Sequence, residues 1–195
     1  MFDDVAIGAV IHGRTLTLAV RRGGKILDPN QKPFDDSHGA AATILDVVST
    51  FRHDSPSVYL LAGADGAVVV SRLRDLTKEA PIVVELVAVH GKPLTQAGAG
   101  HEFVNRWSEL LYRLHATRAE GRLFIPEAYH IQLDAFGGEG DKDGKLIFPS
   151  PAEVEKALGA FPACAVAAVL ASIPVVGGGV GKGESEWDPY EAKHA

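Results

Sequence analysis

Residues 5–20 read VAIGAVIHGRTLTLAV, an almost unbroken apolar run followed, past Gly13, by Leu16 and Leu18 alternating with Thr15 and Thr17. Apolar residues on both faces belong in the middle of a covered sheet, and alternation belongs to a half-buried neighbour. The pattern therefore predicts a central first strand with a second strand folded back beside it. Arg21, Arg22, Gly23, Gly24 and Lys25 make the next turn, and Ile26 and Leu27 begin a third strand that Pro29 and Pro33 interrupt. Ser37 then caps a helix running to about residue 53, with Ala40, Ile44, Val47, Val48 and Phe51 on one face. Residues 58–61 form a buried strand, Gly63 and Gly66 a turn, and residues 67–76 a second helix. Residues 82–89 give a further strand in which Glu85 interrupts a β-branched run. Three strands, helix, strand, helix, strand make the sheet mixed.

The second half turns helical. Residues 101–120 place Phe103, Trp107, Leu110 and Leu114 on one face, and Glu109 is spaced to pair within the helix with Arg106 or Arg113. Gly121 stops that helix, and Leu123, Phe124 and Ile125 form a short strand before Pro126. A Gly-rich charged loop over residues 137–144 leads to a strand over 145–148. Ser150, Pro151 and Glu153 then combine a capping box with proline at the first helical position, and Gly159 ends the helix they open. A last helix, 163–172, is apolar nearly all round and so is expected to be buried.

From Gly177 the chain changes character. GGGVGKGE resembles a phosphate-binding loop, but Lys182 is misplaced by one residue and Gly183 stands where a hydroxyl should hold magnesium. The reading is a flexible linker that delivers an acidic-aromatic end, Trp187, Asp188, Pro189 and Tyr190. The expected organisation is one folded domain over 1–176 and a tail over 177–195.

Composition narrows the function classes. A formal charge of −6 argues against a broad generic nucleic-acid surface and leaves room for a local basic groove. The single cysteine, Cys164, excludes an internal disulfide framework, and its apolar surroundings predict an inert buried thiol. Asp3 and Asp4 occupy the place of a basic signal-peptide region, and Pro162 and Pro174 break the longest apolar run below membrane-spanning length. The expectation is a soluble, intracellular protein without a membrane partner.

Several segments together resemble the C-terminal nuclease domain of the large terminase subunit of tailed phages. VYLLAGADGAVVVSRL has the family's shape of strand, Gly-rich turn and helix ending in an Arg-Leu pair, here Arg72 and Leu73. FVNRWSELLYRLHATRAEGRLFIP is similar to its long helix, opening on Asn105 and Arg106, followed by the short strand and proline. The charged loop, the Gly-Lys strand, the capped helix and the Ala-rich final helix follow in the family's order. The resemblance covers nearly all of 5–172 and implies an RNase H-like α/β fold, a mixed sheet with helices on both faces. It also implies metal-dependent DNA cleavage, because family members hold divalent ions with carboxylates at the centre of that sheet.

The family pattern places Val10, Leu61 and Val166 where those acids should be, and Pro151 where a lysine usually stands. No Asp or Glu occurs at all in residues 5–20. Two readings follow. In the first, the chain is a catalytically inactive terminase-like domain, a binding or assembly module in viral DNA packaging, with no catalytic, metal or cofactor residues. Its partners would be the packaging motor, the portal, or duplex DNA held by Arg21, Arg22, Lys25, Arg106 and Arg113, in the host cytoplasm. In the second, it is a magnesium- or manganese-dependent endonuclease with ligands relocated to Asp65, Glu85 or His12. A cellular structural domain that shares only the fold is a third possibility.

Overall fold

The computed structural model describes residues 5–51, 54–80, 82–93, 102–138 and 140–174. The tail over 177–195 lies outside them. Two strands, β1 (Val5–His12) and β2 (Thr15–Arg22), form the antiparallel hairpin at the heart of a six-stranded sheet. The outer edge of β2 is paired by β3 (Lys25–Ile26) and then by β4 (Asn30–Pro33), two parts of one edge broken around Pro29. β4 went unforeseen because Pro29 before it and Pro33 at its end argue against a central strand, and an edge is where proline is tolerated.

Helix α1 (Ser37–Thr50) leads to β5 (Ser57–Leu61), which runs parallel beside β1, and α2 (Ala64–Thr77) leads to β6 (Val83–Val87), parallel beside β5. The sheet is therefore mixed and β1 central, as the apolar pattern requires. The cap of α1 is Asp36 rather than Ser37, its carboxylate accepting from the Gly39 amide at 2.8 Å. Helix α2 begins earlier than expected and takes in Gly66, where a Cβ would meet the Leu61 carbonyl oxygen at 2.4 Å. That close approach seats α2 against the end of β5.

The remaining elements cover the opposite face. They are α3 (Arg106–Ala119), a 3-10 turn (Glu127–Tyr129), α4 (His130–Asp134), the hairpin β7 (Gly140–Lys142) and β8 (Lys145–Ile147), α5 (Pro151–Leu158) and α6 (Ala163–Ala171). Leu123, Phe124 and Ile125 contribute only a bridge from Phe124 to Lys25 in place of a strand. The capping box of α5 forms as expected, the side-chain oxygens of Ser150 and Glu153 each accepting from the other's backbone amide.

Two apolar clusters result, one on each face of the sheet. Ile7, Ala9, Leu18, Val58 and Leu60 pack under α1 and α2. Ala6, Val10, Ala19 and Tyr59 pack under α3, α4 and α6. Helix α6 decides the character of the second face. All nine of its residues are buried, and its alanines let it lie almost on the strand. A Cβ at Gly8 would meet the Ala167 carbonyl oxygen at 1.9 Å and the Ala171 nitrogen at 2.6 Å. The same helix buries the face of β2 that alternation assigned to solvent: Thr17 is 1% exposed and Arg21 8%. Among the described residues no helix is long and apolar enough to cross a membrane.

Candidate functional site

In a sheet of this kind chemistry belongs at the carboxyl ends of the parallel strands, where side chains from successive strands converge. Val10 lies near that end of β1 and Leu61 closes β5, while Val166 comes from α6 above them. Val10 and Val166 are fully buried in one apolar cluster, and Leu61 packs against it. The three positions singled out by sequence are thus brought together, as hydrocarbon.

The candidate replacement ligands do not assemble into a metal-holding group among the described residues. Asp65 is exposed in the first turn of α2, and Glu85 is exposed on β6, the edge strand, opposite Tyr59. His12 is exposed at the end of β1, where its ring stacks on Phe161 with centroids 4.6 Å apart and its Nε2 lies 4.0 Å from Glu155. Among the described residues no group of three His, Cys, Asp or Glu side chains could hold a metal ion. Asp134, Asp141 and Asp143 are all exposed, Asp141 accepting from the Gly144 amide at 3.0 Å.

The five cations fare differently. Arg21, read as a phosphate contact, is buried: its Nε donates to the Ala171 carbonyl at 2.8 Å, its Nη2 to the Ile173 carbonyl at 3.3 Å and its Nη1 to the Gly23 carbonyl at 3.0 Å. It caps the C-terminal end of α6, where orphan carbonyls and the helix dipole both favour a cation. Arg113 pairs at 2.8 Å with Glu109, a carboxylate fully buried within α3, which makes the intrahelical pairing the one with Arg113 rather than Arg106. Arg106 donates to the Lys92 carbonyl at 3.3 Å. Arg22 is exposed, and Lys25 sits 5.7 Å from the centroid of the exposed Phe124 ring. The cations on β2 and the turn lie at the opposite end of β1 from Val10, since Arg22 pairs with Val5.

Cys164 is buried as expected. Burial raises its pKa, and Gln31 Nε2 lies 3.4 Å from its sulfur. Sequence reasoning missed the link between Phe161, Glu155 and His12, which joins residues more than 140 positions apart and leaves no local signal. It also missed His115, whose buried Nε2 has no hydrogen-bond partner among the described residues.

The architecture is that of an RNase H-like nuclease domain, a mixed sheet with helices on both faces. Among solved structures it matches the nuclease domain of the large terminase subunit of tailed phages. The domain from subunit gp2 of bacterial virus Sf6 superposes with a TM-score of 0.69 at 15% identity, over 88% of this chain and 89% of that one. The large terminase nuclease of thermophilic phage G20c gives 0.53 at 12% identity, over 87% and 81%. No protein-family model matches the chain, and no curated protein sequence does.

One expectation is overturned by this comparison. An absence of any cofactor does not follow from the fold, because a mutant Sf6 domain is known with manganese and the G20c nuclease with bound magnesium. Divalent metal accompanies the fold in those proteins. The described residues at the centre of this sheet do not fit such an ion, since Val10, Leu61 and Val166 offer no oxygen ligand.

Proposed function

We propose that this chain is a terminase-type domain that serves viral DNA packaging as a binding or assembly module and does not cut DNA at the centre of its sheet. The observation that carries the reading is the single apolar cluster at Val10, Leu61 and Val166. Two-metal cleavage needs hard oxygen ligands on both ions to activate the nucleophile and to stabilise the leaving oxygen. Aliphatic side chains supply neither, and both Val10 and Val166 are fully buried. The partners would be the packaging motor, the portal, or duplex DNA met by the exposed cations Arg22 and Lys25 and the half-buried Arg106, with the protein at work in the host cytoplasm.

A second reading, a metal-dependent endonuclease with displaced ligands, draws support from the manganese and magnesium forms of the similar nucleases. One assay separates the two. Supercoiled plasmid incubated with the full chain and magnesium or manganese should remain supercoiled. Nicking that disappears in Asp65→Ala or Glu85→Ala protein would establish the endonuclease and overturn the proposal.

A further inference from the structure

We infer that the acidic-aromatic segment over residues 184–191 docks on a basic-aromatic patch formed by Lys25, Phe124 and Arg122, so that the chain covers this surface with its own tail. The patch is built by tertiary contact. The turn after β2 is tied to the strand-like stretch near Phe124, whose amide donates to the Gly24 carbonyl at 2.8 Å while its carbonyl accepts from the Ile26 amide at 2.9 Å. Phe124 is 59% exposed, a large aromatic surface left to water, and Leu27, two residues after Lys25, is also exposed. Lys25 lies over the ring, and the exposed Arg122 guanidinium stands two residues away in contact with Glu120. An aromatic face flanked by cations is matched by a peptide that carries aromatic rings and carboxylates together.

The occupant is named by where the described chain ends and by charge. The guanidinium of Arg21 donates both to the Ile173 carbonyl and to the carbonyl of Gly23 in the turn. One side chain therefore fastens the last described residues beside the patch. Beyond Pro174 the sequence continues through a Gly-rich stretch to Glu184, Glu186, Trp187, Asp188, Tyr190 and Glu191. Trp187 is thirteen residues past Pro174, a contour of up to about 45 Å. A tether of that length raises the local concentration of the segment to the order of millimolar, enough for weak contacts to be occupied. Four carboxylates facing Lys25, Arg122 and the neighbouring Arg22 would also be in direct competition with phosphates for the same cations. This inference stands apart from whether the domain cuts DNA.

Only two tryptophans are present, and Trp107 is buried with its indole donating to the Pro149 carbonyl at 2.8 Å. Collisional quenching of the full chain by acrylamide therefore reads Trp187. In low salt the wild-type protein should show a quenching constant about threefold below that of the Lys25→Glu and Phe124→Ala variants, and molar salt should abolish the difference. Emission from Trp107 monitors folding of each variant, and the salt titration of the wild type alone tests the proposal should a variant misfold. Free quenching of Trp187 in wild type at low salt would overturn the inference. Shielding unchanged by both substitutions, or shielding that depends on protein concentration, would overturn it equally.

Discussion

His115 shows how much one side chain can take from its surroundings. It belongs to the outer part of α3, yet its ring stacks on Phe148 with centroids 6.0 Å apart and its Nε2 is buried without a hydrogen-bond partner. Burial holds its pKa below the ordinary value of 6.5, the nearby Arg118 pushes in the same direction, and Asp134 opposes them. The unfolded chain consequently takes up a proton on His115 at a higher pH than the folded one. A base with a depressed folded pKa contributes stability above its unfolded pKa, and that contribution is lost as pH falls below about 6.5. Urea unfolding between pH 7.5 and 5.5 should show stability falling with a slope no steeper than about 1.4 kcal/mol per unit from this group. His115→Phe should reduce that slope; an unchanged slope would show that the imidazole is not the source. The opposite case is Arg21, whose burial is offset by the carbonyls it caps.

At the scale of elements, the decisive contact is α6 on the central hairpin. The helix is held at its beginning by Gln132, whose Oε1 accepts from the Ala165 amide at 3.1 Å, and at its end by Arg21. Between these clamps its alanines bring helix backbone against Gly8, so β1 can carry no side chain there. Gly8→Ala should cost about 3 kcal/mol or more, because neither a buried helix nor a central strand can move aside cheaply. A loss below about 1 kcal/mol in urea titration would mean that α6 can slide on the sheet. The pattern of small residues over 163–171 announced a buried helix. Nothing local announced which strand it would touch, since the partner is a glycine more than 150 positions earlier in the chain.

Across the whole molecule, two apolar clusters share one sheet, and β1 and β2 place residues in both. Neither face has an independent framework, so the described domain should unfold in one cooperative step. Leu18→Ala, under α1 and α2, and Leu110→Ala, on α3 over the opposite face, should each cost about 2–4 kcal/mol. Each should shift far-ultraviolet ellipticity and Trp107 emission to the same new midpoint. Separate midpoints for the two probes would divide the molecule into two units.

The order of the larger elements β1, β2, α1, β5, α2, β6, α3, α5 and α6, the centrality of the first strand and the absence of acids along it were legible in the sequence, because burial imposes periodicity on nearby residues; the short α4 and β7 were not. Proline obscured β4, and short contacts such as the bridge at Phe124 have no periodicity to display. The candidate site divides in the same way. Sequence alone determined that Val10, Leu61 and Val166 carry no charge, whereas only the folded chain could gather them into one cluster. It likewise turned Arg21 from an apparent surface cation into the cap of a buried helix. Residue chemistry is written locally, but which groups meet depends on contacts across more than a hundred residues, and those are settled by packing.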